Sequence, residues 1–145
     1  MSKASRRIVL EQINAERISQ IEKWGPQDHP HVSPESRHFP AAVRLATERM
    51  QEKKIQVDLQ AKNGNSNFLD ILREEIEEAA VEAFQGNTPE LRTELIQAAA
   101  VIVQWIEAID AREANEWREH EITVEFEPEA GGWDYQEVDE LGRVQ

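Results

Sequence analysis

The chain has 145 residues, with 29 acidic and 16 basic side chains for a formal net charge of −13, and it contains no cysteine. This length suits one domain with a substantial core, and the lack of cysteine excludes disulfides and thiolate metal sites and favours a cytoplasmic protein. The charge makes nucleic acid an unlikely partner because a phosphate backbone requires a basic footprint, and no apolar run is long enough to predict a transmembrane helix or a secretory signal.

The first part of the sequence predicts two helices separated by a loop. An apolar stripe runs along residues 5–24, and Gly25 is expected to end that helix. Residues 25–40 are rich in proline, histidine and serine, which is typical of an irregular loop. Pro40 suits the first position of a second helix over residues 40–60.

A polar turn at residues 62–67 separates the second helix from a third, which is predicted over residues 68–84. Thr88 is a capping residue followed by proline and an acid, a strong start for a fourth helix. That helix is expected to reach about Arg112, or as far as Trp117. The helical pattern therefore predicts an all-α fold of the four-helix-bundle type.

The last part of the sequence changes character. Residues 121–127 alternate between apolar and polar side chains as a strand does, and two consecutive glycines at residues 131–132 could turn the chain back. We therefore expect a helical domain over residues 1–118, followed by a short acidic hairpin or tail over residues 119–145.

An acidic run on the third helix is the first candidate site. On a helical wheel, four glutamates fall within an arc of roughly 100° beside the apolar face: Glu74, Glu75, Glu78 and Glu82. Like charges at this spacing repel one another, and a divalent cation would offset that repulsion. A run of this kind is, however, also typical of a solvated helix face.

Glu94 is the more informative carboxylate because it lies among apolar positions of the fourth helix. A short link from the third helix would pack the two helices in antiparallel fashion and bring their carboxylates together. Burial of an unpaired carboxylate is costly, so Glu94 is expected to bind a metal or to pair with a cation. Mg²⁺ or Mn²⁺ would suit such oxygen ligands, whereas a structural ion pair would need Arg17, Arg73 or Lys23.

These residues resemble a known family. The pattern Glu74-Glu75-x-x-Glu78 followed by Glu94-x-x-Gln97 is similar to the Glu-Glu-x-x-Glu…Glu-x-x-Asp signature of MazG-like nucleoside triphosphate pyrophosphohydrolases, which are all-α enzymes. Residues 16–30 resemble the start of a subgroup common in phages and actinobacteria. The resemblance covers helices one, three and four, and neither the middle of the chain nor the last thirty residues has a counterpart.

The resemblance implies hydrolysis of an NTP or dNTP to the monophosphate and pyrophosphate, with Mg²⁺ or Mn²⁺ as the cofactor. By motif position, the metal ligands would be Glu75, Glu78, Glu94 and Gln97. Glu74 would orient or activate the attacking water. Gln97 departs from the family pattern, because the usual residue there is Asp; the site loses one negative charge, for which Glu82 could compensate.

The end of helix one and the loop after it help to hold the nucleobase in the resembled enzymes. Five residues are the corresponding candidates for substrate binding: Gln20, Lys23, Trp24, Gln27 and His29. Trp24 could stack on a base, a glutamine could read the edge of the base, and Lys23 could meet a phosphate. The alternative is that Trp24 is a core residue and that the loop histidines, His31 and His38 among them, lie at the surface.

The resemblance also implies a homodimer or homotetramer, located in the cytoplasm (that of the host if the protein is phage-encoded). A competing hypothesis is a non-catalytic interaction protein. It rests on Gln97 and on residues 119–140, which carry acids and no Lys or Arg, so that an acidic surface could occupy a basic partner.

Overall fold

The structure is a computed structural model that describes residues 3–37 and 39–126, with side chains as far as residue 120. These residues form four helices: α1 (Lys3–Trp24), α2 (Pro40–Lys62), α3 (Phe68–Gln85) and α4 (Thr88–Phe126). The predicted all-α, four-helix fold is therefore confirmed, and each helix begins within two residues of its expected start. No helix in the described part of the chain is both long and apolar enough to cross a bilayer.

The far end of α4 corrects the sequence prediction. The alternating segment was expected to be a strand, but α4 continues through it to Phe126. No glycine or proline interrupts the sequence between Thr88-Pro89 and Pro128, and a helix that has already formed extends at little cost. The expected glycine turn lies outside the described residues, and the domain boundary after residue 118 stays a prediction.

The chain divides into two units after Glu107, the first of which contains α1, α2, α3 and the first half of α4. The candidate site lies within this first unit. The second unit begins at Ala108 and includes the end of α4.

Helices α2 and α3, which are consecutive in the sequence, pack against each other. The Asn67 side chain caps α3 by accepting a hydrogen bond from the Asp70 amide at 2.9 Å. Asp70 in turn accepts a hydrogen bond from Gln60 at 2.9 Å and pairs with Lys53 at 3.5 Å. These contacts lower the pKa of Asp70, Asn67 contributing most, and they fix the start of α3 against α2.

Helices α3 and α4 run antiparallel after a tight connection. Gly86 ends α3 in the left-handed region at φ 74°, where a residue without Cβ is favoured. Near this connection Leu91 packs with Ala83, and at the far end Phe68 stacks on Trp105 with ring centroids 5.9 Å apart. The two contacts, at opposite ends of α3, define the register of the pair.

Few side chains of the described residues are fully buried. The buried apolar residues are mostly small: Val9, Ala46, Ala79, Val81, Ala83, Leu91 and Ala98. Several large apolar residues remain exposed, including Ile76 at 48% and Ile102 at 40%. A single copy of the chain therefore leaves much apolar surface in contact with water.

Helix α1 contacts α4 through an ion pair. Arg6 Nε donates a hydrogen bond to Glu107 Oε1 at 3.3 Å, and Glu107 is only 3% exposed. The fully buried Val9 lies one turn further along α1. Glu107 was not singled out from the sequence, because an acid on the long α4 gives no local sign of burial.

Candidate metal centre

Three carboxylates converge where α3 passes α4. Glu75 and Glu78 lie one turn apart on α3, and Glu94 lies on α4. Each offers one oxygen, and these three oxygens all lie within 4.8 Å of one another. The side chains are half-buried, so the cluster is neither a solvated surface run nor a sealed core. The structure thus brings together three of the four residues that the motif assigns to a metal.

Gln97 is the fourth of these residues, and its amide group reaches the same cluster. With the amide nitrogen turned inward, it donates to Glu94 Oε2 and to Glu75 Oε2, both at 3.2 Å. Rotation of the amide by 180° would present its oxygen to the same point without any movement of the helix. Gln97 therefore bridges the two helices and can either donate a hydrogen bond or act as a ligand.

The carboxylates of the cluster disfavour one another's charge. Burial raises the pKa of Glu94, as do a hydrogen bond with Glu78 and the charges of Glu78, Glu75 and Glu82. Burial and the charge of Glu78 likewise raise the pKa of Glu75. Glu94 makes no ion pair among the residues that the structure describes, so the alternative partners Arg17, Arg73 and Lys23 do not neutralise it. A cluster of this kind favours a cation between its oxygens.

Glu74, the predicted catalytic residue, lies beside the three carboxylates rather than among them. Its pKa is raised chiefly by burial and then by the charge of Glu78, while Lys54 acts in the opposite direction. A carboxylate with a raised pKa is a stronger base than an ordinary glutamate, which suits a group that accepts a proton beside oxygen ligands.

Glu82 has an orphaned atom in the same region. Its Oε2 is buried and has no hydrogen-bond partner among the described residues, and its charge contributes to the raised pKa of Glu94. A buried carboxylate oxygen without a donor is unusual and indicates a missing positive or hydrogen-bonding group.

Lys54 of α2 contacts Glu78, which the sequence did not predict. Its ammonium lies 2.9 Å from Glu78 Oε1, and this contact raises the pKa of Lys54. Lys54 lies in a mixed-charge stretch of α2, 24 residues before Glu78, and no motif marks it. Only the packing of α2 on α3 brings the two residues together.

The five predicted substrate-binding residues interact locally at the end of α1. Gln20 exchanges hydrogen bonds with Arg17 and Glu16 on its own helix. Lys23 lies over the ring of Trp24, with its Nζ 4.8 Å from the ring centroid. Trp24 is 58% exposed, so the alternative of a core residue is not supported.

The loop after α1 holds the other two candidates. Gln27 donates to the Trp24 carbonyl at 3.0 Å, and its own side-chain oxygen is 2.8 Å from His29 Nε2. His29, with His31 and Arg37, lines a cavity of about 530 Å³ that also contacts Ala83 of α3. Within the described chain, no hydrogen bond or ion pair joins these loop residues to the acidic cluster. His31 is exposed, whereas His38 lies outside the described residues.

Comparison with known proteins gives no independent indication of family. No family model matches the chain, and neither the curated proteins nor the solved structures contain a match.

Proposed function

We propose that this protein is a metal-dependent nucleotide pyrophosphohydrolase that converts an NTP or dNTP to the monophosphate and pyrophosphate. The observation that carries the proposal is the convergence of Glu75, Glu78 and Glu94 within 4.8 Å, with the Gln97 amide 3.2 Å from two of them. Together with Glu74, these four positions make up the motif that resembles MazG-like enzymes.

The residues present fit a hard divalent cation. Carboxylate and amide oxygens are the ligands that Mg²⁺ and Mn²⁺ prefer, and an incomplete protein shell leaves positions for water and phosphate oxygens. The raised pKa of Glu94 and the orphaned Oε2 of Glu82 both indicate that the cluster lacks positive charge. Glu75, Glu78, Glu94 and Gln97 would hold the ion, which would neutralise the triphosphate and activate water.

Glu74 supplies the base in this proposal. In the reaction, a water oxygen forms a bond to the α-phosphorus and the bond from that phosphorus to the α,β-bridging oxygen breaks, so pyrophosphate leaves with the bonding electrons. Glu74 accepts the proton of the attacking water, a role that its raised pKa favours. Because Glu74 adjoins Glu75 on α3, the base shares one rigid helix with two of the ligands, Glu75 and Glu78.

The exposed end of α1 is the proposed base-binding element. Trp24 offers an open aromatic face, and the side chains of Gln27 and His29 are already oriented by hydrogen bonds. Gln20 and Lys23 complete the set assigned by resemblance. This part of the proposal requires α1 or its loop to approach the cluster when the nucleotide binds.

The test is pyrophosphate release from a panel of NTPs and dNTPs with Mg²⁺ or Mn²⁺. We expect turnover by the wild-type protein and a loss of at least about 100-fold in Glu75→Gln and Glu94→Gln, since each removes a ligand charge. Glu77→Gln and Glu90→Gln are the matched controls on α3 and α4, because neither residue belongs to the cluster.

The controls should retain wild-type turnover, and all variants should keep the wild-type circular dichroism spectrum. Turnover that survives in Glu94→Gln would contradict the proposed site. If the wild-type protein neither turns over any nucleotide nor binds metal, the proposed enzymatic function is wrong. That result would favour the hypothesis of a non-catalytic interaction protein.

We propose further that the protein is a homo-oligomer in the cytoplasm, joined through α1 and α4. A groove of about 790 Å³ between these helices is lined mainly by apolar side chains, including Leu10, Ile13, Ile96 and Val103. Ile96 is 57% exposed and Leu10 is 49% exposed. Burial of such a groove against a second copy would remove the apolar surface that one chain leaves in water.

Light scattering at micromolar concentration tests this oligomer. The wild type is expected to be a dimer or tetramer. The Ile96→Glu variant is expected to have a lower molar mass in solution, because burial of a charge in the interface would disfavour association. Ile55→Glu is the control, since Ile55 is 62% exposed but lies on α2. A wild-type protein that is monomeric throughout would contradict the proposal.

A further inference from the structure

Two adjacent lysines on α2 make ion pairs with α3, but the environments of the two pairs differ. Lys53 pairs with Asp70 at 3.5 Å, and the two side chains are only 20% and 15% exposed. Lys54 pairs with Glu78 at 2.9 Å, yet its side chain is 54% exposed. Lys53 is therefore enclosed between the helices, whereas about half of the Lys54 side chain is open to solvent.

The partner of Lys54 belongs to the proposed metal centre. Glu78 Oε1 accepts the hydrogen bond from Lys54, and Glu78 is one of the three carboxylates that converge within 4.8 Å. The structure therefore already places one cationic group on this cluster, supplied by the chain itself. A divalent cation bound by Glu75, Glu78 and Glu94 would compete with the ammonium for the charge of Glu78.

A lysine side chain suits a role in which its own ammonium group moves from one anionic partner to another. Its ammonium is a compact charge on a flexible stem, and its three N–H groups can donate hydrogen bonds to a carboxylate or to a phosphate oxygen. An arginine would favour a fixed two-pronged contact with one carboxylate. The triphosphate of the proposed substrate would bring new negative charge close to the position that the ammonium occupies.

We propose that Lys54 is an exchangeable counterion, which balances Glu78 while no divalent cation is bound and moves to the substrate phosphates when the metal complex of a triphosphate binds. This inference rests on the proposed function, because it assigns Lys54 a part in metal and phosphate binding at the same site. Lys54 is thus a regulator of metal affinity and a determinant of phosphate binding, and it is not a metal ligand.

The consequence is that removal of Lys54 should affect two affinities in opposite directions. Without the competing ammonium, Lys54→Met should bind Mn²⁺ alone about 3- to 5-fold more tightly, as expected for loss of a partly exposed ion pair. The same variant should bind magnesium tripolyphosphate about 5- to 10-fold more weakly, because a charge-assisted hydrogen bond to phosphate is lost. A purely structural ion pair would not give opposite signs.

Isothermal titration calorimetry of the full chain measures both affinities, with Mn²⁺ alone and with tripolyphosphate at saturating Mg²⁺ as the probes. Arg49→Met is the control for loss of one positive charge, because Arg49 is exposed on the same helix and makes no ion pair within the described residues. Lys54→Arg keeps the charge and should restore most of the phosphate affinity. Circular dichroism confirms that each variant is folded.

The outcomes separate this inference from the proposed function. The proposed exchange of Lys54 between Glu78 and phosphate is wrong if Mn²⁺ binds to the wild type and to Lys54→Met with equal affinity, or if Arg49→Met reproduces both changes. Either result would leave the proposed metal centre uncontradicted. If neither protein binds Mn²⁺, the metal centre itself is wrong and the inference fails with it. Tighter Mn²⁺ binding with unchanged tripolyphosphate binding would overturn the transfer of Lys54 to phosphate.

Discussion

Phe68 stacks on Trp105 with ring centroids 5.9 Å apart and ring planes inclined by 13°. Phe68 is the first residue of α3, and Trp105 lies more than four turns into α4. At the other end of α3, Leu91 packs against Ala83. The aromatic pair therefore holds the two helices in the register that places Glu94 opposite Glu75 and Glu78.

The first prediction concerns this aromatic pair. Phe68→Ala should lower the free energy of unfolding by about 2–3 kcal/mol, because a half-buried aromatic contact is lost, and should also weaken Mn²⁺ binding, because the register loosens. Trp105→Leu should have the same two effects. Urea unfolding and Mn²⁺ titration measure them. Trp117→Leu is the control because Trp117 is 69% exposed; an equal loss in that variant would argue against a specific role for the stack.

The second prediction concerns Gln97. Replacement by Asp adds a fourth carboxylate beside Glu94 and Glu75, so Gln97→Asp should bind Mn²⁺ about tenfold more tightly. The same change should lower stability by about 1 kcal/mol in EDTA, because the new charge repels its neighbours and removes two hydrogen bonds. Gln104→Asp, which adds the same charge to α4 outside the cluster, should leave Mn²⁺ affinity unchanged. Unchanged Mn²⁺ affinity in Gln97→Asp would place the amide outside the coordination shell.

The third prediction is a pH dependence of stability in EDTA. The raised pKa of Glu75 and of Glu94 means that the folded chain still holds protons at pH values where the unfolded chain, with its ordinary glutamate value of 4.5, has lost them. Stability contributed by these groups is therefore present below pH 4.5 and is lost as pH rises through the raised values. Glu94→Gln should flatten this decline.

Urea midpoints measured from pH 4.5 to 7 check the prediction. Asp70 acts in the opposite direction but in a different window, because its lowered pKa means that its contribution is lost only as pH falls below its ordinary value of 3.8. Addition of Mg²⁺ should reverse the decline, since metal binding requires the carboxylates to be ionised. An identical slope in the wild type and in Glu94→Gln would contradict the proposed cause.

The fourth prediction compares two neighbouring arginines on α1. Arg6→Ala leaves the buried Glu107 without its ion-pair partner and should cost about 1–3 kcal/mol of stability. Arg7→Ala removes only an exposed pair with Glu11 and should cost less than about 0.5 kcal/mol. Urea unfolding at neutral pH measures both. Equal losses of stability in the two variants would mean that another group compensates the charge of Glu107.

Much of the fold follows from local sequence signals. The cap at Asn67, the left-handed Gly86 and the start at Thr88 act within one helical turn, so the limits of α3 and the start of α4 could be predicted closely. The far end of α4 could not, because a short alternating segment fits a strand and the continuation of a helix equally well. The helix that had already formed decided between them.

The sequence by itself determined which residues could form a metal centre: the helical period places Glu75 and Glu78 on one face, and a short connection brings Glu94 back toward them. Tertiary structure decided the rest. Gln97 bridges Glu94 and Glu75, Lys54 reaches Glu78 from α2, and Glu107 is buried against α1, although none of these contacts has a local signal. The physical reason is that helical periodicity fixes the faces of each helix, whereas packing alone determines which faces meet and which charges then become neighbours.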